Sequence, residues 1–276
     1  MTASPATSAA TLTEAERFTF DNSGYLVLEN FLQPDHVARL TGALDQVIAH
    51  RRGLLAADPA RSRLTLVNGP ASTRILYILE DDPLFQQLLD WPALLPYVRE
   101  LIGPKAHYHA SDAIVEKAQD FMNRPIGWHI DGHDSGYRNL RRPIPLLQLK
   151  VGYYLSDMTE PWRGNLTVVP GSHKTSQNPA PDDLKRRDFF PGAVQVCAPA
   201  GTCILFHNAI WHTAAPFNRP EEQRTMLYYA YEHHWMMAAE GHWGYSADFY
   251  NRRLTPAQRL YFHGNVFNPP EHRHFF

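Results

Sequence analysis

The sequence predicts a mainly β protein, a double-stranded β-helix (jelly roll) of two packed sheets with N-terminal helices lying on one of them. Three observations carry this reading. From about residue 106 onward the chain breaks into short apolar and β-branched runs parted by Pro and Gly, about eight of them, the rhythm of a sandwich or barrel. Before that point apolar residues recur at helical spacing. His129 and Asp131 then stand two apart in one β run, with His212 far downstream in another. Residues i and i+2 of a strand share a face, so a jelly roll can bring all three side chains to one point while Ile130 turns away.

Taken in order, residues 1–11 are rich in Ala, Ser and Thr and lack the basic flank and apolar run of a secretory leader. They read as a disordered tail ahead of one domain spanning 12–276. Thr13 to Glu16 open a short helix with a cap-like start, and 24–28 reads as a strand. Pro34 and Asp35 begin an amphipathic helix that runs to about Arg52, with Val37, Leu40, Leu44, Val47 and Ile48 on one stripe. The stretch 51–73 reads as irregular, and 83–101 as one or two more helices ended by Gly103 and Pro104. Strands are expected at 107–115, 126–131, 146–155, 166–169, 192–197, 202–206, 209–213 and 224–232. Insertions interrupt them at 132–145 and 175–191. Beyond Trp235 the chain is aromatic and polar without a clear period.

Composition bounds the function. A chain of 276 residues with 44% hydrophobic and 20% charged residues is ordinary globular protein. A net charge of −2 gives no electrostatic reason for a nucleic acid or an anionic membrane as partner. No run of eighteen apolar residues is present to cross a bilayer. Cys197 and Cys203 make no disulfide framework and suit a reducing, cytoplasmic setting.

Two imidazoles and one carboxylate on neighbouring strands make a facial set of metal ligands that leaves half the coordination sphere open. Such a set favours Fe(II) with a co-substrate and dioxygen over a closed structural zinc site, which needs a fourth ligand. A lone His-x-Asp is weak, since about one is expected by chance in this composition. Its company is more specific. Pro170-Gly171-Ser172-His173 lies between the two parts of the triad, a glycine-led run from Gly201 to His207 precedes His212, and Arg224 opens a further strand twelve positions beyond it. His107 and His109 form a rival dyad of the cupin kind. The glutamate that such a dyad needs is Glu116, on the opposite strand parity, so both histidines read as structural or supporting.

This ordered set resembles the phytanoyl-CoA dioxygenase family of Fe(II)/2-oxoglutarate oxygenases, from about Phe18 to Trp235. The resemblance implies oxidation, most simply hydroxylation, of a C–H bond in a small organic metabolite, with 2-oxoglutarate and O2 consumed and succinate and CO2 released. It implies His129, Asp131 and His212 as iron ligands and Arg224 as the clamp on the far carboxylate of 2-oxoglutarate, because a guanidinium fork grips a carboxylate through two hydrogen bonds. Arg219 is a rival for that clamp. Gln148 or Lys150, on the polar side of the run 146–155, is expected to line the co-substrate wall, although the Trp that many members carry near Gly152 is absent. His173 reads as part of a structural turn. For the substrate, the insertion after Asp131 offers His133, Arg138, Arg141 and Arg142 as a lid that would suit an anionic handle, and Tyr108, Tyr154, Tyr228 and Trp235 offer contacts for an apolar or ring-containing body. Two rivals remain: a jelly-roll binding module without turnover, and an oxygenase that desaturates or cyclises. A related iron halogenase is disfavoured, because Asp131 fills the position that chloride would need.

Overall fold

The computed structural model describes residues 11–58, 66–67, 72–118, 126–132, 137–177, 180, 182, 189–236 and 245–262. The N-terminal tail, His133 and parts of both insertions lie outside the described residues.

Helix α1 (Glu14–Ser23) opens with a capping box in which Thr13 and Glu16 satisfy each other's backbone N–H, and it ends at Gly24 with φ 82°. Strand β1 (Tyr25–Leu28) follows, then α2 (Pro34–Ala57), which runs past the expected Arg52. Its buried side includes Val37, Leu40, Leu44, Val47 and Ile48, the stripe read from the sequence. Helices α3 (Pro83–Gln87) and α4 (Leu95–Leu101) fall where expected.

A correction concerns the region read as irregular. It holds the end of α2, strand β2 (Leu66–Val67) and the first residues of β3 (Ser72–Leu76); β2 and β3 pair antiparallel with each other. Strand β3 also pairs with β4 (His107–Lys117). Ser-Thr-Arg-Ile-Leu is too short and mixed to announce a strand; the unpaired edge of β4 recruits it.

The remaining strands are β5 (Gln148–Tyr154), β6 (Leu166–Val168), β7 (Val194–Gln195), β8 (Cys203–His207), β9 (His212–Ala214) and β10 (Gln223–Glu232). The larger sheet has the order β1-β8-β5-β10-β4-β3-β2 and the smaller one β7-β6-β9. The run 126–131 does not form the expected regular strand. It joins β9 through a single bridge, His129 to His212.

Alternation along the larger sheet sorts its side chains into two cores. Leu149, Val151, Tyr153, Leu205, Leu227, Tyr229 and Tyr231 face the helices and join Leu40, Phe85, Leu88 and Leu89. Tyr229 and Tyr231 also donate to the carbonyls of Phe85 and Leu89, at 2.7 and 2.8 Å, so buried hydroxyls fix the helices to the sheet. The opposite side chains, Tyr154, Ile204, Phe206 and Met226, meet Leu166 and Val168 of the smaller sheet and Val196 just beyond β7. Each such side chain contributes about 1.5–3 kcal/mol by leaving water. The architecture is therefore the jelly roll with helices on one sheet, and the space between the two sheets holds the site. Among the described residues no helix is long and apolar enough to cross a membrane.

Candidate active site

The ligand atoms of His129, Asp131 and His212 all lie within 4.8 Å of one another, the one such convergence among the described residues. Backbone pairing sets it up. His129 and His212 exchange N–H···O bonds at 3.0 Å in both directions, and the Asp131 N–H donates to the Asn208 carbonyl at 3.0 Å. Asn208 in turn accepts the Leu147 and Gln148 N–H groups on its side-chain oxygen, tying this bridge to β5. Trp128 points the other way and is covered by Phe190, ring centroids 5.1 Å apart. Pro170-Gly171-Ser172-His173 forms the expected turn, with Gly171 at φ 79°. The Ser172 hydroxyl accepts the Trp211 N–H at 2.8 Å, holding the residue before His212.

The two imidazoles are prepared for a metal. Nδ1 of His129 pairs with the Gly127 carbonyl at 2.9 Å, and Nδ1 of His212 with the Ile210 carbonyl at 3.0 Å. A carbonyl can only accept, so each Nδ1 carries the proton and each Nε2 keeps its lone pair. Nε2 of His212 stands 3.8 Å from Oδ2 of Asp131, and the ring centroids of the histidines are 4.2 Å apart. That buried Oδ2 accepts no hydrogen bond among the described residues, and Lys150 Nζ approaches it only to 3.8 Å. A buried carboxylate oxygen without a partner is expensive, and a cation among these three groups removes the cost. The residues fit the metal.

Charge states agree. Burial alone would raise the Asp131 pKa, but Lys150, His212, His129 and His109 hold it below the usual carboxylate range. Burial lowers His212 to about 4, with His129 adding to the effect. Burial likewise lowers His207, stacked on Phe20, to about 3, with His173 and Arg142 contributing. Both histidines are neutral in the folded chain at pH 7 but ordinary, near 6.5, when unfolded. Between pH 6.5 and 3–4 the unfolded chain therefore binds more protons, so stability present above pH 6.5 is lost as the pH falls. Urea titrations of metal-free protein at pH 7 and pH 5 are expected to show a loss approaching about 1.4 kcal/mol per pH unit for each histidine. A His207→Gln variant should lose its share of that slope; a slope unchanged by the substitution would refute the assignment.

Arg224 sits at the start of β10, on the face between the sheets, fully enclosed. It pairs with Glu116, its cross-strand neighbour on β4, and donates to the Gly164 carbonyl at 2.8 Å. Burial weighs against its charge, and Glu116 more than restores it, raising the pKa. Lys150, Gly152 and Tyr154 line the same face of β5. The Tyr228 ring borders Gly152, and burial raises its hydroxyl to about 12, so it stays protonated.

Several expected contacts lie elsewhere. Tyr108 is corrected outright: it is enclosed in the helix-side core and donates to Ser111 Oγ at 2.7 Å, away from the triad. The Gln148 side chain meets Tyr137 and Glu232 at the end of β5 opposite the Arg224 end, which corrects its expected place on the Arg224 side. Arg142 is not a free lid cation. It is buried and donates to the carbonyls of Thr175, Ser172 and Ala209, fastening the insertion to the turn. Arg138 bonds the Ile130 carbonyl at 2.6 Å, while Arg141 is exposed. Trp235 is exposed and stacks on His233.

The sequence reading passed over Glu232 and Asn208, placed Tyr137 only within the insertion, and gave His109 only a supporting part, yet all four lie near the triad. Glu232 reads in sequence as an ordinary strand end. His109 faces the site because of an irregularity in β4 that composition does not announce.

A jelly roll with two imidazoles and a carboxylate facing one point, and a buried arginine beyond them, defines a non-haem iron oxygenase that works with 2-oxoglutarate. A model of the phytanoyl-CoA dioxygenase family, described as Phytanoyl-CoA dioxygenase (PhyH), matches residues 20–226, and the chain belongs to that family. It is 29% identical over 235 residues to the ectoine dioxygenase of Sphingopyxis alaskensis, covering 75% of this chain and 71% of that protein. Among solved structures it resembles EctD from S. alaskensis with 2-oxoglutarate and 5-hydroxyectoine, at 26% identity, TM-score 0.60, 83% of this chain and 79% of that one. It also shares the fold of HygX from Streptomyces hygroscopicus, solved with nickel, 2-oxoglutarate and hygromycin B, at 19% identity, TM-score 0.62, 81% of this chain and 88% of that one. The chain is an Fe(II)/2-oxoglutarate-dependent dioxygenase acting on a small molecule.

Proposed function

We propose that His129, Asp131 and His212 hold the ferrous ion, that Arg224 and Lys150 receive 2-oxoglutarate, and that the enzyme hydroxylates a C–H bond of a small metabolite. The observation that carries this is the pair of imidazoles whose Nδ1 atoms are committed to carbonyls, with an unpartnered carboxylate oxygen between their free nitrogens. Bound iron would supply activation of dioxygen, coupled to decarboxylation of the co-substrate. The protein's own residues do the rest. Asn208 and the bridge between His129 and His212 keep the three ligands aligned. Glu116 and the Gly164 carbonyl orient the Arg224 guanidinium for a carboxylate. Tyr154, Phe206, Met226 and Tyr228 enclose the inner space and exclude water. One domain spanning 12–276 suffices for this chemistry. The free Cys197 and Cys203 suit a reducing cytoplasm, and the net charge of −2 favours no nucleic acid or membrane surface.

The test is succinate release by protein supplied with Fe(II), 2-oxoglutarate and a metabolite panel that begins with ectoine, because the relatives carry that name. A panel member that stimulates succinate release and gains the mass of one oxygen is expected. Stoichiometric loss of two hydrogens would favour desaturation or cyclisation instead. Protein that binds Fe(II) and never consumes 2-oxoglutarate would be a binding module.

A further inference from the structure

Strand β10 carries charge at both ends of its site-facing side. Met226, Tyr228, Ala230 and Glu232 lie opposite Tyr154, Gly152, Lys150 and Gln148 of β5. Lys150, which approaches Asp131, marks the level of the metal ligands. Arg224 lies toward one end of the strand from that level and Glu232 toward the other. In the reading above, 2-oxoglutarate occupies the Arg224 side. The Glu232 side is then left for the substrate.

Glu232 is completely buried. A bulge in β4 builds its surroundings: the register jumps between Ala230–Ala110 and Tyr231–Tyr108, leaving His109 over. Tyr108 and Ser111 both point to the helix-side core, three residues apart, so the pleat has lost one step. His109 is thereby turned to the site side, where bulges commonly re-aim a side chain. Its Nδ1 lies 2.7 Å from Oε2 of Glu232, and Gln148 Nε2 donates to the same oxygen at 3.3 Å. Gln148 Oε1 accepts from Tyr137 at 2.9 Å. The Tyr137 ring lies against Gly132, the residue after Asp131, so closely that a Cβ there would collide with it. The cluster thus adjoins the metal ligands. Yet Oε1 of Glu232 has no hydrogen-bond partner among the described residues. Two insertion cations near the triad are committed elsewhere: Arg138 to the Ile130 carbonyl, and Arg142 to three carbonyls.

We propose that Oε1 of Glu232, framed by His109 and Gln148, is a substrate subsite for a cationic N–H donor, an ammonium, amidinium or guanidinium group. This rests on the site reading above. A buried carboxylate with one oxygen served twice and the other bare gains most from a donor that also brings positive charge. A neutral hydroxyl would complete the hydrogen bond but bring no charge to the carboxylate. Two of the three insertion arginines, Arg138 and Arg142, are tied to carbonyls, which weakens the reason to expect a purely anionic substrate.

The experiment uses protein loaded with Ni(II) and 2-oxoglutarate, which turns nothing over, and calorimetry with three probes. Ectoine carries an amidinium, L-arginine a guanidinium, and 5-oxoproline a neutral lactam beside its carboxylate. The wild type is expected to bind at least one of the cations about tenfold or more tightly than 5-oxoproline, and Glu232→Gln to abolish that preference while retaining 2-oxoglutarate affinity. A crystal of the wild-type complex, which needs no variant, should place the cationic nitrogen within hydrogen-bond distance of Glu232 Oε1. The proposal is overturned by a wild type without the preference, by a Glu232→Gln protein that keeps it, or by a cation seated elsewhere. Parallel loss of 2-oxoglutarate affinity in Glu232→Gln would mark a structural role and overturn it too. Failure of the wild type to bind Ni(II) and 2-oxoglutarate would instead overturn the reading of the site beneath it.

Discussion

His212→Ala protein is expected to fold, to lose affinity for Fe(II) by more than about 100-fold, beyond what loss of an outer hydrogen-bond partner costs, and to release no succinate. The size of the effect follows from the site's economy: three protein donors leave no spare ligand, and Asp131 Oδ2 depends on whatever sits between the imidazoles. Asp131→Asn should behave alike for metal binding, since the amide keeps the shape and loses the charge. It should also free Lys150, which now lies 3.8 Å from the carboxylate. Equilibrium dialysis with Fe(II) under anaerobic conditions reads the first effect, and circular dichroism confirms the fold. A His212→Ala protein with wild-type iron affinity would show that the metal is held elsewhere.

Arg224 divides into two experiments because it carries two interactions. Arg224→Lys keeps the charge beside Glu116 but loses the fork, so 2-oxoglutarate binding should weaken about 10- to 100-fold with iron affinity unchanged. Arg224→Ala leaves Glu116 buried without its cation, and removing one member of a buried pair costs about 3–5 kcal/mol. Paired Glu116→Gln and Arg224→Ala substitutions in a double-mutant cycle should recover part of that loss, because the uncompensated charge is gone. Denaturant midpoints measure stability, and calorimetry measures the co-substrate. If Arg224→Lys leaves 2-oxoglutarate affinity at the wild-type level, the clamp passes to Lys150 or Arg219.

The α2 stripe was legible because a helix buries one side at a period its own sequence displays, and Val37, Leu40, Leu44, Val47 and Ile48 display it. The strands around Lys150 and Arg224 were legible for the same local reason. The two-residue spacing of His129 and Asp131 holds because alternation is a property of extended backbone, even where the run forms one bridge and not a regular strand. Tyr108 was misplaced because that same alternation fails at a bulge, which moves a side chain to the other face without any mark in composition. Strands β2 and β3 were missed because short strands at the margin of a sheet are stabilised by the backbone groups of their neighbours and not by their own residues. Arg142 looked like a lid cation because sequence shows a charge but not the carbonyls that enclose it.

The sequence by itself determined the fold class and singled out the three candidate metal ligands and the arginine beyond them, since these follow from residue type, order and strand parity, and the same ordered set carried the family resemblance. Only the tertiary structure decided which oxygen of Asp131 stands unpartnered, which carboxylate answers Arg224, and that His109 and Glu232 meet beside the site. Those depend on contacts between strands distant in sequence, Glu232 with His109 being 123 residues apart, and no local pattern encodes such a distance.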